Sequence, residues 1–397
     1  MKYIHRIHPS RISTISITYG AGSRVEHKNK YPYGIAHYME HMRFKGTDRF
    51  SAKEMARALA VVGGDWNAFT SKDMVNYHVE LPEENIERGF ELLSEIVLRP
   101  IFPEDEAKKE MEVVCQEIRS YDDDMTSMVY KNLYGKVFNN SLANEIVGTE
   151  GSVRSITRDH LLNFSKEFYF PAGALVVVAS NMPYTHLVEK YFGIPDDVFI
   201  LHPESKNVEY AAPFDMSFIK DGFKQHTIMI AFGNEQIRQV VKQNRAAATV
   251  FNHIFGGGGA DARLFSRVRE DLGLVYGIGS SFQNNFDGAL FTIGTSTEPE
   301  NSEKVIQTIN EVILELFSKL PSEEELLKAK NMIKSQYYRS LDTSTDATMN
   351  ALKEEIYGYT GGSKFLAEIE NVSLEQVMDV AKKVFDANKY VVIGKGE

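Results

Sequence analysis

"SITRDHLLNFSKEFYFPAGALVVVAS", Ser155 to Ser180, reads as a capped amphipathic helix that runs into a buried strand. "VSLEQVMDVAKKVFDANKYVVIGKG", Val372 to Gly396, repeats the design. Thr157 and Ser373 fall at the N-caps, Phe168 and Val384 on the apolar stripes, and "LVVV" is answered by "VVIG". Such a pair near the ends of two comparable halves points to an internal duplication. The Pro- and Asp-containing stretch "GIPDDVFILHPESKNVEYAAP", Gly193 to Pro213, marks the boundary. The expectation is an N-terminal domain over 1–195, a linker over 196–213 and a homologous C-terminal domain over 214–397.

Within the first half, "ISTISITYGAG" and "MVNYHVEL" read as strands, and helical patterns lie around His37 and Ala58, from Pro82 to Leu98 and from Pro103 to about Tyr121. In the second, "QHTIMIAF" and "GALFTIGTST" read as strands, with helices from Gln239 to Phe255, Asn301 to Leu320 and Ser322 to about Ser340. Hairpin-like strand neighbours mixed with long helices imply an α+β fold. Each half is then an α/β-sandwich-like layer pair, a mostly antiparallel sheet covered by long helices.

Length and composition set outer bounds. A chain of 397 residues is too long for one typical core, and 43% hydrophobic with 25% charged residues describes an ordinary globular protein. A net charge of −11 argues against nucleic acid as a partner, because phosphate binding needs a basic face. Cys115 is the single cysteine, so no internal disulfide can form and a reducing compartment is expected. "MKYIHRIHPSRIST" lacks a signal-peptide apolar run and no later segment is apolar enough to span a bilayer. The expected location is cytoplasmic, without membrane insertion.

The chemistry concentrates in "GIAHYMEHMRFKGT", Gly34 to Thr47. On a helix each residue turns by about 100°, which puts His37 and His41 about 40° apart on one face. Two imidazoles so placed can share one Zn²⁺. Glu40 lies about 60° to one side of His37, placed to serve as a general base that takes a proton from zinc-bound water. The spacing alone can also be a structural histidine pair, and a catalytic zinc needs a third protein ligand.

"EDEAKKEMEVVCQEIRSY", Glu104 to Tyr121, offers candidates. Its apolar stripe is Ala107, Met111, Val114 and Ile118, and Glu110 and Glu117 fall at the stripe's edge, two turns apart on one face. Glu112 points to solvent. Two carboxylates in that position need a cation nearby, either a basic side chain or a metal, and the histidines favour the metal.

These residues carry a family resemblance. The chain resembles the inverzincin metallopeptidases of the pitrilysin, insulysin and mitochondrial processing peptidase family, whose signature is an inverted zinc motif, H-x-x-E-H. "AHYMEHMRFKGT" is similar to its core motif almost throughout, and the likeness extends over nearly the whole chain in a two-domain form. The resemblance implies zinc ligands His37, His41 and Glu117, Glu40 as base and Glu110 as an auxiliary carboxylate behind the ligands. "GGDWNAFTSKDMVNYHVEL", Gly63 to Leu81, is similar to the family's edge-strand segment, where Asn67, Ala68 and Phe69 would line an extended peptide added to the sheet. "RLFSRVREDLGLVYGIGSS", Arg263 to Ser281, looks like the Arg/Tyr segment, in which Arg269 would bind the substrate backbone and Tyr276 would support the oxyanion.

The resemblance further implies a zinc-dependent endopeptidase that acts on short or unfolded peptides, or on targeting peptides, inside a chamber. With two domains the chamber would be completed by dimerisation, as a homodimer or, alternatively, a heterodimer. The competing reading is a non-catalytic or half-site subunit, kept for assembly or as an activating partner. Three departures stand out. The opening "MKYIHRIHPSRIST" abbreviates an expected outer strand, Arg43 replaces a usually apolar residue, and "YDDDMTSM" lacks an expected proline. "FGGGGADARLF" lacks the Gly-Lys-Ser/Thr ending of a phosphate loop and reads as a flexible loop.

Overall fold

The computed structural model describes residues 1–26, 30–201 and 208–396. Two five-stranded sheets organise it. The first comprises β1 (Lys2–Ile7), β2 (Ile12–Tyr19), β3 (Asp65–Thr70), β4 (Val75–Pro82) and β5 (Leu175–Ser180), in spatial order β1-β5-β2-β4-β3. The second comprises β6 (Phe214–Lys220), β7 (His226–Gly233), β8 (Ile278–Asn284), β9 (Ala289–Thr297) and β10 (Asn388–Gly396), in order β6-β10-β7-β9-β8. Substituting β6 for β1, β7 for β2, and so on turns one order into the other. Each outer pair, β1 with β5 and β6 with β10, is parallel, and every other neighbour is antiparallel. The α+β reading and the duplicated design therefore hold. β1 exists as a full strand despite the abbreviated opening.

The repeated helix-and-strand units form as their residues dictate. Thr157 Oγ1 accepts from the backbone N–H of His160, and Ser373 Oγ from that of Gln376, each closing a capping box. Phe168 and Val384 are buried at the far ends of these helices.

The first sheet explains how the helix layers arise. Along β2 the side chains alternate. Ile15, Ile17 and Tyr19 enter the core with Tyr77 and Val79 of β4, under the helices α1 (Ile35–Arg43), α2 (Ala52–Val61), α3 (Ile86–Leu98) and α4 (Glu104–Asp122). Thr14, Ser16 and Thr18 face the other way and are also fully buried. Asn76 donates to Ser16 (2.6 Å) and Thr18 (2.7 Å), while Thr14 pairs with Ser344 at 2.8 Å. The buried hydroxyls on this face of β2 are thus satisfied by Asn76 of β4 and, at Thr14, by Ser344 and Thr345 of the Ser344–Tyr357 helix.

That helix comes from the far end of the chain. Over the described residues, one compact unit is Met1–Ser120, Asn144–Lys206 and Ser340–Ile356, and the other is Tyr121–Ala143, Asn207–Arg339 and Tyr357–Glu397. The contiguous stretches 1–195 and 214–397 each contribute a helix to the opposite unit: Met125–Val137 joins the second, where Val129, Leu133 and Val137 pack with Tyr390 and Val392. Residues 202–207 of the expected 196–213 linker lie outside the described residues. In the second unit the expected helix from Gln239 to Phe255 breaks at Asn244 into Glu235–Gln243 and Arg245–Asn252, followed by a π-helical turn, His253–Gly257.

Candidate metal centre

The centre is built on α1, whose start is fixed from outside. Gly34 has φ = 90°, and a Cβ there would lie 2.6 Å from the Val147 carbonyl oxygen, so only glycine fits. No side chain of α1 caps its own first turn. Instead the carboxylate of Glu26, itself buried, accepts from the N–H groups of Gly34 and Ala36 at 2.9 Å each. Burial pushes the Glu26 carboxyl up to about 8 against the pull of those two bonds.

One helical turn then separates His37 from His41, with ring centres 4.7 Å apart. Glu117 approaches both from α4: its Oε1 is 3.6 Å from His37 Nε2 and its Oε2 is 3.5 Å from His41 Nε2. One ligand atom from each of the three residues lies within 4.8 Å of the others. Two ligands of a tetrahedral zinc, each at about 2.0–2.1 Å, stand roughly 3.3 Å apart. The nitrogen and oxygen donors therefore have the chemistry and spacing to hold such an ion, with a position left open.

Around this triad, Glu110 and Glu40 have different partners. Glu110 is buried, deeper than an edge position, and its Oε1 is 2.8 Å from His41 Nδ1 while Oε2 meets Lys45 Nζ at 2.6 Å. With its proton on Nδ1 donated to Glu110, His41 presents the lone pair of Nε2 towards Glu117. Burial alone would raise the Glu110 carboxyl, but the bonds from His41 and Lys45 outweigh it and hold it below its ordinary value. Without a metal the two imidazoles divide: burial and the neighbouring His41 push His37 down. Burial opposes charge on His41 too, but Glu110 and Glu117 overcome it and push that ring up. Glu40 accepts a hydrogen bond from Thr70 Oγ1 at 2.5 Å, and burial raises its carboxyl despite that bond. Glu112, exposed, pairs with Arg154.

β3 is the edge strand of its sheet. Trp66 and Ala68 pack towards the core, Trp66 against Phe44 at 5.4 Å between ring centres, whereas Asn67 is exposed and Phe69 half-buried. In the second unit the guanidinium of Arg269 lies 5.1 Å from the Tyr276 ring centre, and Tyr276 is 88% exposed. Arg43 points neither outward nor at the metal donors. It is 1% exposed, lies 3.7 Å over the Tyr169 ring and donates to Ser165. Sequence reasoning missed the roles of Thr70, Lys45 and Glu26. Only Lys45 carried a hint, since it stands four residues after His41, just past the end of α1.

The second unit repeats the strand order, and among the described residues it holds no cluster of metal donors like that of the first. In "His253-Ile-Phe-Gly-Gly" two glycines follow the histidine at the three- and four-residue spacings at which Glu40 and His41 follow His37. Gln336 lies thirteen residues after the first glutamate of the Glu323–Arg339 helix, the same distance that separates Glu117 from the first glutamate of α4. The Gln336 side chain acts on His253, although neither ring nitrogen makes a well-formed hydrogen bond. "FGGGGADARLF" is accordingly no simple loop. Its Gly256 is buried, and a Cβ there would lie 2.6 Å from Ser280 Oγ.

Comparison with known proteins agrees with this asymmetry. Residues 3–150 match the model of the insulinase family, peptidase family M16, and residues 155–333 match that of the peptidase M16 inactive domain. An uncharacterized zinc protease of Bacillus subtilis is 30% identical over 391 residues, covering 94% of this chain and 91% of that protein. One of Rickettsia felis is 28% identical over 386 residues, covering 94% and 90%. Among solved structures, a protease from Helicobacter pylori shares the fold with a TM-score of 0.89 at 21% identity, over 99% of this chain and 96% of that one. A peptidase M16 inactive domain structure from Pseudomonas fluorescens gives 0.86 at 20% identity, over 99% and 94%. The chain belongs to peptidase family M16.

Proposed function

We propose that the protein is a zinc-dependent endopeptidase for short or unfolded peptides. The observation that carries this reading is the convergence of His37, His41 and Glu117 beside the Glu40 carboxylate. His37, His41 and Glu117 would hold Zn²⁺, and Glu110, braced by Lys45, would orient His41. When bound, the ion supplies a Lewis acid that polarises the scissile carbonyl and acidifies water. Glu40 takes the water's proton and passes it to the leaving amine. Its Oε2 accepts from Thr70, and its remaining lone pairs are the sites for that proton.

Asn67, Ala68 and Phe69 would line a peptide added as a further strand along β3. Main-chain pairing there explains binding with little demand on sequence. Arg269 would grip the substrate backbone, and the exposed hydroxyl of Tyr276 would support the oxyanion. A second copy of this chain would complete the chamber, a heterodimer being the alternative. Having Cys115 as the only cysteine favours a cytoplasmic location. Among the described residues no helix is long and apolar enough to cross a membrane. The test is an unstructured peptide incubated with the protein before chelation, after it and after zinc is returned. Cleavage that is lost and then restored supports the reading, and cleavage indifferent to chelation contradicts it.

A further inference from the structure

We propose that Thr70 is a positioning residue that aims the Glu40 carboxylate, tying the base to the strand that receives the substrate; this rests on the peptidase reading above. The bond is direct: Thr70 Oγ1 donates to Glu40 Oε2 at 2.5 Å. Along β3 the side chains alternate, so Trp66, Ala68 and Thr70 share the face turned to α1, while Asn67 and Phe69 take the other. The residue that fixes the base is therefore continuous with the residues proposed to line the peptide.

Both ends of the bond are anchored by one short segment, residues 22–26. Ser23 and Arg24 donate their N–H groups to the carbonyls of Ser71 and Lys72, directly after Thr70. Arg24 and Asp73 add a buried ion pair at 2.9 Å. Gly22 runs so close to this turn that a Cβ would lie 2.4 Å from the Lys72 oxygen. Glu26, at the end of the same segment, holds the first turn of α1. Strand end and helix start are thus clamped to a common support, which leaves the Glu40 side-chain torsions as the remaining freedom. The Thr70 hydroxyl removes it by engaging Oε2. Peptide pairing along β3 would steady the strand end and, through Thr70, the base.

The experiment compares Thr70→Val, which keeps the shape and loses the hydroxyl, with Thr70→Ser, which keeps the hydroxyl. For Thr70→Val, kcat should fall roughly tenfold to a hundredfold with KM within about twofold, because the loss falls on the chemical step. Thr70→Ser should stay within about threefold of wild type, and both should keep the wild-type zinc content. A second readout needs neither zinc nor activity. In chelated protein Thr70→Val should lower the melting midpoint by about 2–4 °C, and the shift should vanish in a Glu40→Leu background. Equal loss of kcat in the Ser and Val variants, or equal melting shifts in both backgrounds, overturns the proposal. If wild type cleaves no peptide at all, the peptidase reading fails separately, and the melting comparison still decides whether Thr70 holds Glu40.

Discussion

Gln336 acts on His253 in the second unit as Glu117 approaches His37 in the first, but there the pair is an amide and a single imidazole, and Gly256 and Gly257 follow that histidine at the spacings at which Glu40 and His41 follow His37. A neutral amide and one imidazole make a poor zinc site. The account therefore predicts one zinc per chain. Metal analysis of His37→Ala should find it lost, whereas His253→Ala should retain the full complement. A second equivalent, or one that depends on His253, would contradict this division.

The contact of Glu110 with His41 and Lys45 gives the next prediction. Glu110→Gln keeps the shape but weakens the acceptor for the His41 Nδ1 proton and strands the Lys45 ammonium. Zinc affinity should drop about 10–100-fold, read by competition with a chelator of known affinity. An unchanged affinity would reduce Glu110 to a packing residue.

Arg43 concerns stability rather than chemistry. Its guanidinium is buried against Tyr169 and Phe102, and its hydrogen bonds go to Ser165 and the Val97 carbonyl. Truncation by Arg43→Ala removes the stacking, opens a cavity and leaves those acceptors unpaired. A loss of about 3–5 kcal/mol in urea unfolding is expected, with zinc per folded molecule unchanged.

Glu26 supplies a pH test whose sign can be worked out. Its carboxyl is pushed up from 4.5 to about 8 by burial. A carboxyl that binds its proton more tightly when folded contributes fully below its unfolded value, and the contribution is lost as pH rises through the folded value. The unfolding free energy of wild type minus that of Glu26→Gln should therefore fall between about pH 5 and about pH 8. Lys72 lies nearby, itself pushed down to about 8 by burial against the pull of Glu145 and Glu26. A difference that is flat across this window would mean that Glu26 stays ionised throughout.

Much of this was legible in the sequence because its signals are local. Capping residues, apolar periodicity and the repeated helix-and-strand unit announced the three inner strands of each sheet, and the spacing of His37 and His41 marked a possible donor pair that the family resemblance completed with Glu117. Glu110 and Glu117 stood out as carboxylates at the border of an apolar stripe. What stayed hidden depends on contacts between distant segments. The alternation of β2 cannot tell a polar face open to water from one sealed by Ser344 and its helix. Thr70 looks like any strand-ending threonine until α1 is folded beside it, and Arg43 looks like a surface cation until Tyr169 is found beneath it.

The central claim is that Glu40 acts as the base beside a zinc held by His37, His41 and Glu117. Mass spectrometry of an unstructured peptide, of roughly 20–30 residues so that it can pair along β3, should be run with wild type and Glu40→Gln at equal zinc content. The account predicts fragments from wild type and almost none from Glu40→Gln. Equal cleavage by the two would contradict it.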